Sequence, residues 1–213
     1  MSFCNWGDSE IRKKYHDEIW GRPNHDDNKH FENIIYEVLQ CGLSWWLVYY
    51  SKQEILRRCF DNFDVKKVSE YTDDDVYRIL NTKGMIKSES KIKAIVNNAK
   101  CFINIQKKYG SFDNYLWSYT NGKTIIYDKH ELGYIPSSNG LSERISIDLK
   151  NFGFKYLGPI VIYSHLQACG IILDHDPDCP CYKEILSQTT VVRKRRYLEK
   201  GVVLYNKTPV DSI

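Results

Sequence analysis

The segment Asn151-Phe152-Gly153-Phe154-Lys155-Tyr156-Leu157-Gly158-Pro159, followed by the apolar run 160–169 and Gly170, decides the fold. Gly153 ends one helix, because glycine enters the left-handed conformation that closes a helix C-terminus without a Cβ penalty. A short hairpin turns through Tyr156, Leu157 and Gly158. Pro159 then opens the next helix at its first position, where a missing N–H costs nothing. This is a helix-hairpin-helix arrangement. Gly158 allows a close backbone approach, and the free amides at the new helix N-terminus suit a phosphate. Such contacts position DNA without reading its sequence. The same packing also occurs with no binding role.

Helical periodicity dominates the rest of the chain. From Lys29, the residues Phe31, Ile34, Ile35, Val38 and Leu39 share one apolar helical face. Gly42-Leu43-Ser44 interrupts it, and Ser44 can cap a helix beginning Trp45-Trp46-Leu47. Thr72-Asp73-Asp74-Asp75 reads as an N-cap with an acidic first turn, predicting a helix over Val76, Ile79 and Leu80 that ends near Gly84. Ser88 or Ser90 opens a longer helix through Ile92, Ile95, Val96, Ala99 and Ile103 that stops at Gly110. Two more helices cover 111–119 and 142–151. Between them, 120–141 is irregular, with Asn121-Gly122, Gly133, Pro136 and Asn139-Gly140 as turn signals and Lys123-Thr124-Ile125-Ile126-Tyr127 as a candidate short strand. The expected class is all-α: a domain over residues 1–182 and an appended basic tail over 183–213, with a helix around Arg195 as one option.

A chain of 213 residues can build a core without disulfides, and seven scattered cysteines argue against a disulfide scaffold. No stretch approaches the roughly 18 apolar residues of a membrane span, and the N-terminus shows no basic region followed by an apolar one. A cytoplasmic protein, nucleoid-associated if bacterial, is the expectation. A net charge of +3 is too small to identify a polyanionic partner. The local cluster Arg193-Lys194-Arg195-Arg196 is the candidate basic patch, although such runs are more often solvated. Aromatics stand out, with 5 tryptophans and 16 tyrosines. Most belong in a core, but such rings also hold a flat, unstacked base.

Several separate motifs carry a specific likeness: Cys4-x-Trp6, Tyr15-His16-Asp17-Glu18-x-Trp20-Gly21-x-Pro23, Gly42-Leu43-Ser44-Trp45, Gly153-Phe154-Lys155-Tyr156-Leu157-Gly158 and Gln167-Ala168-Cys169-Gly170. In that order and spacing the chain resembles the 3-methyladenine DNA glycosylase I (Tag) family from Cys4 to about Tyr182. The resemblance implies a helix-hairpin-helix base-excision glycosylase, with alkylated double-stranded DNA as its partner; a monomer is expected. It also implies a structural zinc ion and no redox cofactor.

Thiolate and imidazole are the ligands zinc prefers, and a closed four-ligand site is structural. By spacing alone, Cys4 and His16 at one end and His175 and Cys179 at the other read as packed or exposed side chains. The resemblance makes these four the zinc ligands, joining the N- and C-terminal segments, with Cys181 as a competing thiol. It likewise implies Trp6, Tyr15, Glu37 and Trp45 as the base pocket, and Tyr156, Leu157 and Gly158 as the DNA-binding hairpin. Read from the residues alone, Glu37 is a solvated edge carboxylate, since an apolar helical face is a poor place for an unpaired charge.

N3-alkylated adenine carries a delocalised positive charge while attached to its sugar. A carboxylate and aromatic faces both favour such a cation, and the charge makes the base a good leaving group. Glu37 is therefore expected to recognise the base and to stabilise the sugar cation or water. Asp174, near the position of a catalytic aspartate in related glycosylases, ranks below it because it adjoins His175. Bifunctional relatives place a Schiff-base lysine just into the second helix; here Pro159, Ile160 and Val161 stand there, so a monofunctional enzyme is expected. Arg12 replaces a family tyrosine and Trp46 is bulkier than the pattern, which bears on lesion range. Two other readings remain at this point: a catalytically idle, zinc-stapled DNA-binding module, and a glycosylase for another minor-groove adduct such as 3-methylguanine.

Overall fold

The computed structural model describes Cys4, residues 9–128 and 135–194, and the backbone of 197–199 and 202–204. Trp6, Arg195 and Arg196 lie outside the described residues. The chain divides into two compact units, one of Asp26–Tyr115 with Ile145–Val161, the other of Met1–His25, Leu116–Arg144 and Ile162–Ile213. They are called here the hairpin unit and the cluster unit.

The hairpin unit holds α2 (Asp27–Gln40), α3 (Trp45–Ser51), α4 (Gln53–Cys59), a 3-10 turn (Asp61–Phe63), α5 (Val65–Ser69), α6 (Asp73–Asn81) and α7 (Glu89–Tyr109). To it also belong the start of α8 (Phe112–Ser118), the end of α9 (Gly140–Asn151) and the start of α10 (Pro159–Ala168). Asp26 caps α2 by accepting the Asn28 N–H at 2.8 Å. The face read from the sequence, Phe31, Ile34, Ile35, Val38 and Leu39, is buried throughout. So is the α7 face of Ile92, Ile95, Ala99, Phe102 and Ile105. Each large apolar side chain removed from water contributes roughly 1.5–3 kcal/mol. The Phe102 ring stacks on Phe112 at 4.3 Å and meets Phe31 edge-on at 5.5 Å. Thr72 and Asp75 form a capping box at the start of α6, and Ser88 and Gly110 bound α7 as the sequence indicates.

The cluster unit contains α1 (Glu10–Glu18), β1 (Thr124–Tyr127), α11 (Pro180–Gln188), β2 (Val191–Lys194), β3 (Tyr197–Glu199) and β4 (Val202–Leu204). Thr-Ile-Ile-Tyr is β-branched and aromatic, and all four residues are buried, as suits a strand covered on both faces. β1 pairs with β2 in parallel, Thr124 opposite Val191 through Tyr127 opposite Lys194. On its other side Ile125 exchanges backbone bonds with Ile171 (2.8 Å) and Leu173 (2.9 Å). β3 and β4 form an antiparallel pair. The fold is mostly helical, as expected, and the candidate strand forms. The optional helix at Arg195 falls outside the described residues, and strands lie on either side of it.

One carboxylate ties three elements of the hairpin unit. Asp27 accepts the Phe112 N–H (2.9 Å), the Asp113 N–H (2.8 Å) and the Gln106 amide (2.8 Å), so it satisfies the orphan amides that open α8 from outside that helix. Asp27→Ala should lower stability by about 1–3 kcal/mol, since it leaves several donors without their acceptor. Urea unfolding would read this as a lower midpoint at unchanged slope; an unchanged midpoint would contradict it.

Candidate active site and metal centre

In the cluster unit, Cys4, His16, His175 and Cys179 converge, each offering one ligand atom, all within 4.8 Å of one another. Cys4 Sγ lies 3.5 Å from His175 Nδ1, and Cys179 Sγ lies 3.7 Å from both His16 Nε2 and His175 Nδ1. Bonds of about 2.0–2.3 Å to a tetrahedral ion place sulfur and nitrogen ligands roughly 3.6 Å apart, so the spacing fits a metal. The rings are oriented for it. His175 Nε2 donates to the Trp20 carbonyl at 2.9 Å, and His16 Nδ1 donates to Asp17 at 2.7 Å. Each ring therefore turns its unprotonated nitrogen toward the thiols, the arrangement metal-binding imidazoles adopt.

Burial lowers the His175 pKa to about 4 and so keeps the ring neutral. The same burial pushes the Cys4 thiol up to about 12, so a thiolate there requires a cation beside it. The Asp176 N–H points at Cys4 Sγ at 3.1 Å. Gly21, at φ +77°, leaves room for the His175 ring, since a Cβ there would lie 2.8 Å from it. Cys181 sits in a separate trio with His16 and Asp17, 3.8 Å from the Asp17 carboxylate, while Cys4 completes the four. Tyr15 precedes His16 on α1 and is buried, and Arg12 is half-buried one turn earlier. Asp174 is buried and accepts hydrogen bonds from the Tyr163 hydroxyl (2.7 Å) and the Gln167 amide (2.8 Å).

In the hairpin unit, Glu37 is 4% exposed in the last turns of α2. The solvated-edge reading is thereby corrected: the helix is enclosed around more of its circumference than its apolar stripe suggests. The Gln40 amide donates to the Glu37 carboxyl. Burial raises the Glu37 pKa to about 8, and the Gln40 contact opposes that rise. Lys91 Nζ donates to the carbonyls of Leu39 (2.8 Å) and Cys41, closing the C-terminus of α2 just before the loop that leads to Trp45. Trp45 opens α3 half-buried, stacked on Tyr49 at 4.3 Å and edge-on to Trp46 at 4.9 Å.

The hairpin follows α9 through a Schellman closure: Phe154 N–H to Leu149 O at 3.0 Å, and Gly153 N–H to Lys150 O at 2.9 Å, with Gly153 at φ +94°. Leu157 is buried, whereas Tyr156 and Gly158 are exposed. Asp17 and Trp20, which orient the imidazoles, and Gln40 and Tyr49, which contact Glu37 and Trp45, carry no assigned role in the sequence reading. Gln40 and Tyr49 were within reach of it, since each lies one helical turn beyond Glu37 or Trp45 on the same face.

The buried carboxyl makes stability depend on pH. Below about pH 4.5 Glu37 is protonated in both folded and unfolded chains. Above that the unfolded chain releases its proton while the folded one holds it until about pH 8, so folding loses free energy across this window. Glu37→Gln removes the loss. Relative to wild type, the variant should gain stability from pH 5 to pH 8 by up to about 1.4 kcal/mol per pH unit, measured by urea unfolding at each pH. A difference independent of pH would refute it.

A family model described as methyladenine glycosylase matches residues 5–183. The DNA-3-methyladenine glycosylase of Haemophilus influenzae is 37% identical over 179 residues, covering 84% of this chain and 96% of that protein. The DNA-3-methyladenine glycosylase 1 of Escherichia coli is 37% identical over 183 residues, covering 85% and 97%. A solved structure of 3-methyladenine DNA glycosylase I with 3-methyladenine superposes at a TM-score of 0.80 and 32% identity, covering 85% of this chain and 98% of that one. The Staphylococcus aureus enzyme, a structure addressing 3-methyladenine recognition, gives a TM-score of 0.79 at 32% identity over 85% and 98%. With the family model spanning most of its length and two curated relatives above 30% identity, this chain belongs to the methyladenine glycosylase family.

Proposed function

We propose that this chain is a DNA-3-methyladenine glycosylase that begins base-excision repair by hydrolysing the N-glycosidic bond of the alkylated base. The observation that carries the reading is Glu37, a buried carboxyl in the hairpin unit of a family whose characterised relatives are 3-methyladenine glycosylases. Trp6, Tyr15, Glu37 and Trp45 are the proposed base-contacting residues; Tyr156, Leu157 and Gly158 form the proposed DNA-backbone contact. Residues 1–182 make up the proposed catalytic domain. The tail 183–213 adds phosphate affinity through the 193–196 cluster, and a monomer acts on alkylated duplex DNA in the cytoplasm. No helix among the described residues is long and apolar enough to cross a membrane.

The chemistry follows from charge. A base must leave the stack to be excised, and a cationic base gains most from aromatic faces and a carboxylate in a dry site. With a pKa near 8, Glu37 is mostly neutral in the free protein at pH 7. Docking a cation against it expels the carboxyl proton to solvent and leaves a carboxylate paired with the base. The cationic base is already an activated leaving group, so departure needs no proton from the protein. Water then completes the hydrolysis at the sugar carbon. Pro159, Ile160 and Val161 offer no amine for a Schiff base, which makes the enzyme monofunctional.

The test is release of 3-methyladenine from methylated DNA, identified by chromatography. Excision by wild type should rise with pH toward 8 as proton loss from Glu37 becomes easier. Glu37→Gln should lower it about tenfold to a hundredfold, the worth of a charge-assisted hydrogen bond, and abolish that rise. Absence of released base from wild type would favour the idle-module reading, and release of a different base would move the assignment to that lesion.

Zinc is the proposed ion at Cys4, His16, His175 and Cys179. It would supply no catalytic step, because a closed four-ligand site leaves no position for water; it would fasten Cys4 and α1 to the 175–179 turn. Protein purified without added metal should carry about one equivalent of zinc. Chelation should lower the thermal midpoint, because metal binding and folding are coupled. A metal-free protein of unchanged midpoint would overturn the assignment.

A further inference from the structure

The backbone groups of three hairpin residues are held by side chains from outside it. Asn98, on α7 and 0% exposed, accepts the Lys155 N–H at 2.8 Å through Oδ1 and donates to the Lys155 carbonyl at 2.9 Å through Nδ2. The neighbouring Asn97 donates to the Gly153 carbonyl at 2.7 Å. From α9, the Ser146 hydroxyl donates to the Leu157 carbonyl at 2.8 Å. The Tyr156 hydroxyl meets Ser90 on α7 at 3.2 Å. A buried primary amide that satisfies both backbone groups of one residue reproduces the pairing of a neighbouring strand, and it fixes that peptide in one orientation.

We infer that Asn98 is a positioning residue for DNA engagement: it sets the backbone of Lys155 so that the following amides, Tyr156 to Gly158 and the start of α10, face the phosphate together. The inference rests on the DNA-binding role proposed above for the hairpin. Gly153 allows the fit at α7, since a Cβ there would meet Cys101 Sγ at 3.3 Å. Without Asn98, the Lys155 N–H and carbonyl lose the partner that sets their direction, and the hairpin loses its fixed geometry. The consequence falls on binding, because anion capture by several amides depends on their pointing at one place.

Asn98→Ala should raise both the Kd for undamaged duplex and the KM for methylated DNA by about tenfold, the scale of one or two lost hydrogen bonds. The kcat at saturating DNA and the binding of free 3-methyladenine should stay within twofold of wild type. Asn98→Asp keeps the shape and the acceptor while losing the donor. It should lie between the two, and it carries the test if the alanine variant fails to fold. Gly158→Asp is the companion, because its Cβ meets nothing within 4 Å and its carboxylate would repel a phosphate. If Gly158→Asp weakens duplex binding and neither Asn98 variant does, the inference falls and the hairpin's role stands. If Gly158→Asp binds as wild type, the hairpin reading itself falls. If Asn98→Ala lowers kcat and free-base binding as much as it raises KM, Asn98 is a general structural residue and the inference is overturned.

Discussion

Bringing two thiols and two imidazoles together across most of the chain, from Cys4 to Cys179, is the constraint on which the cluster unit rests. That unit is assembled from three separate stretches of chain, and closing loops of this length costs entropy that local helix formation cannot return. Apolar burial supplies part of the compensation: Ile126, Leu173, Cys179, Cys181, Tyr182 and Ile185 form one cluster, against which Cys4 and Val191 pack. The hydrogen bonds around the imidazoles supply the direction. Trp20 and Asp17 turn His175 and His16 so that both lone pairs meet the sulfurs, and α1 is thereby held at His16 with Tyr15 beside it. The strand β2, beyond the family match at residue 183, adds a parallel neighbour to β1 and extends the same layer.

Glu37 presents the opposite logic. A carboxyl at 4% exposure with one amide donor costs stability, and the same burial raises its pKa to about 8. Packing alone would select an apolar residue here. Perturbed titratable groups concentrate at functional sites, and under the proposed reading a cationic ligand would restore the ionisation that burial suppresses. The Trp45 ring is held in one orientation by Tyr49 and Trp46, which would reduce the ordering cost of stacking in the proposed base pocket.

Which features were legible in the sequence follows from the range of the interactions that create them. The α2 and α7 faces, the Thr72 cap, the Gly110 stop and the Gly153–Pro159 hairpin are local patterns, and each forms where its residues indicate. Helices α1, α4, α5 and α11 have 9 residues or fewer and lack a long apolar period; Ser9 and Asp64 cap α1 and α5, and short helices of this kind depend on tertiary packing. The Cys/His convergence was readable only through resemblance, since spacing says nothing about approach across the whole chain. The burial of Glu37 was misread for a related reason. A helix enclosed by several neighbours presents no single solvent face, and one strand of sequence cannot count its neighbours.

The hairpin combines these two kinds of information. Its turn residues are written locally, but its backbone cannot be self-sufficient if its amides are to remain available to a phosphate. A hairpin that paired its own N–H groups would have none to offer, and one with all of them free would lack a defined shape. Amide and hydroxyl side chains from α7 and α9 resolve the conflict by taking the groups at Gly153, Lys155 and Leu157 while leaving the exposed turn at Tyr156 and Gly158 open. Asn98 and Glu37 are thus both polar side chains buried where a hydrophobic residue would pack more cheaply, and each holds a directed hydrogen bond there.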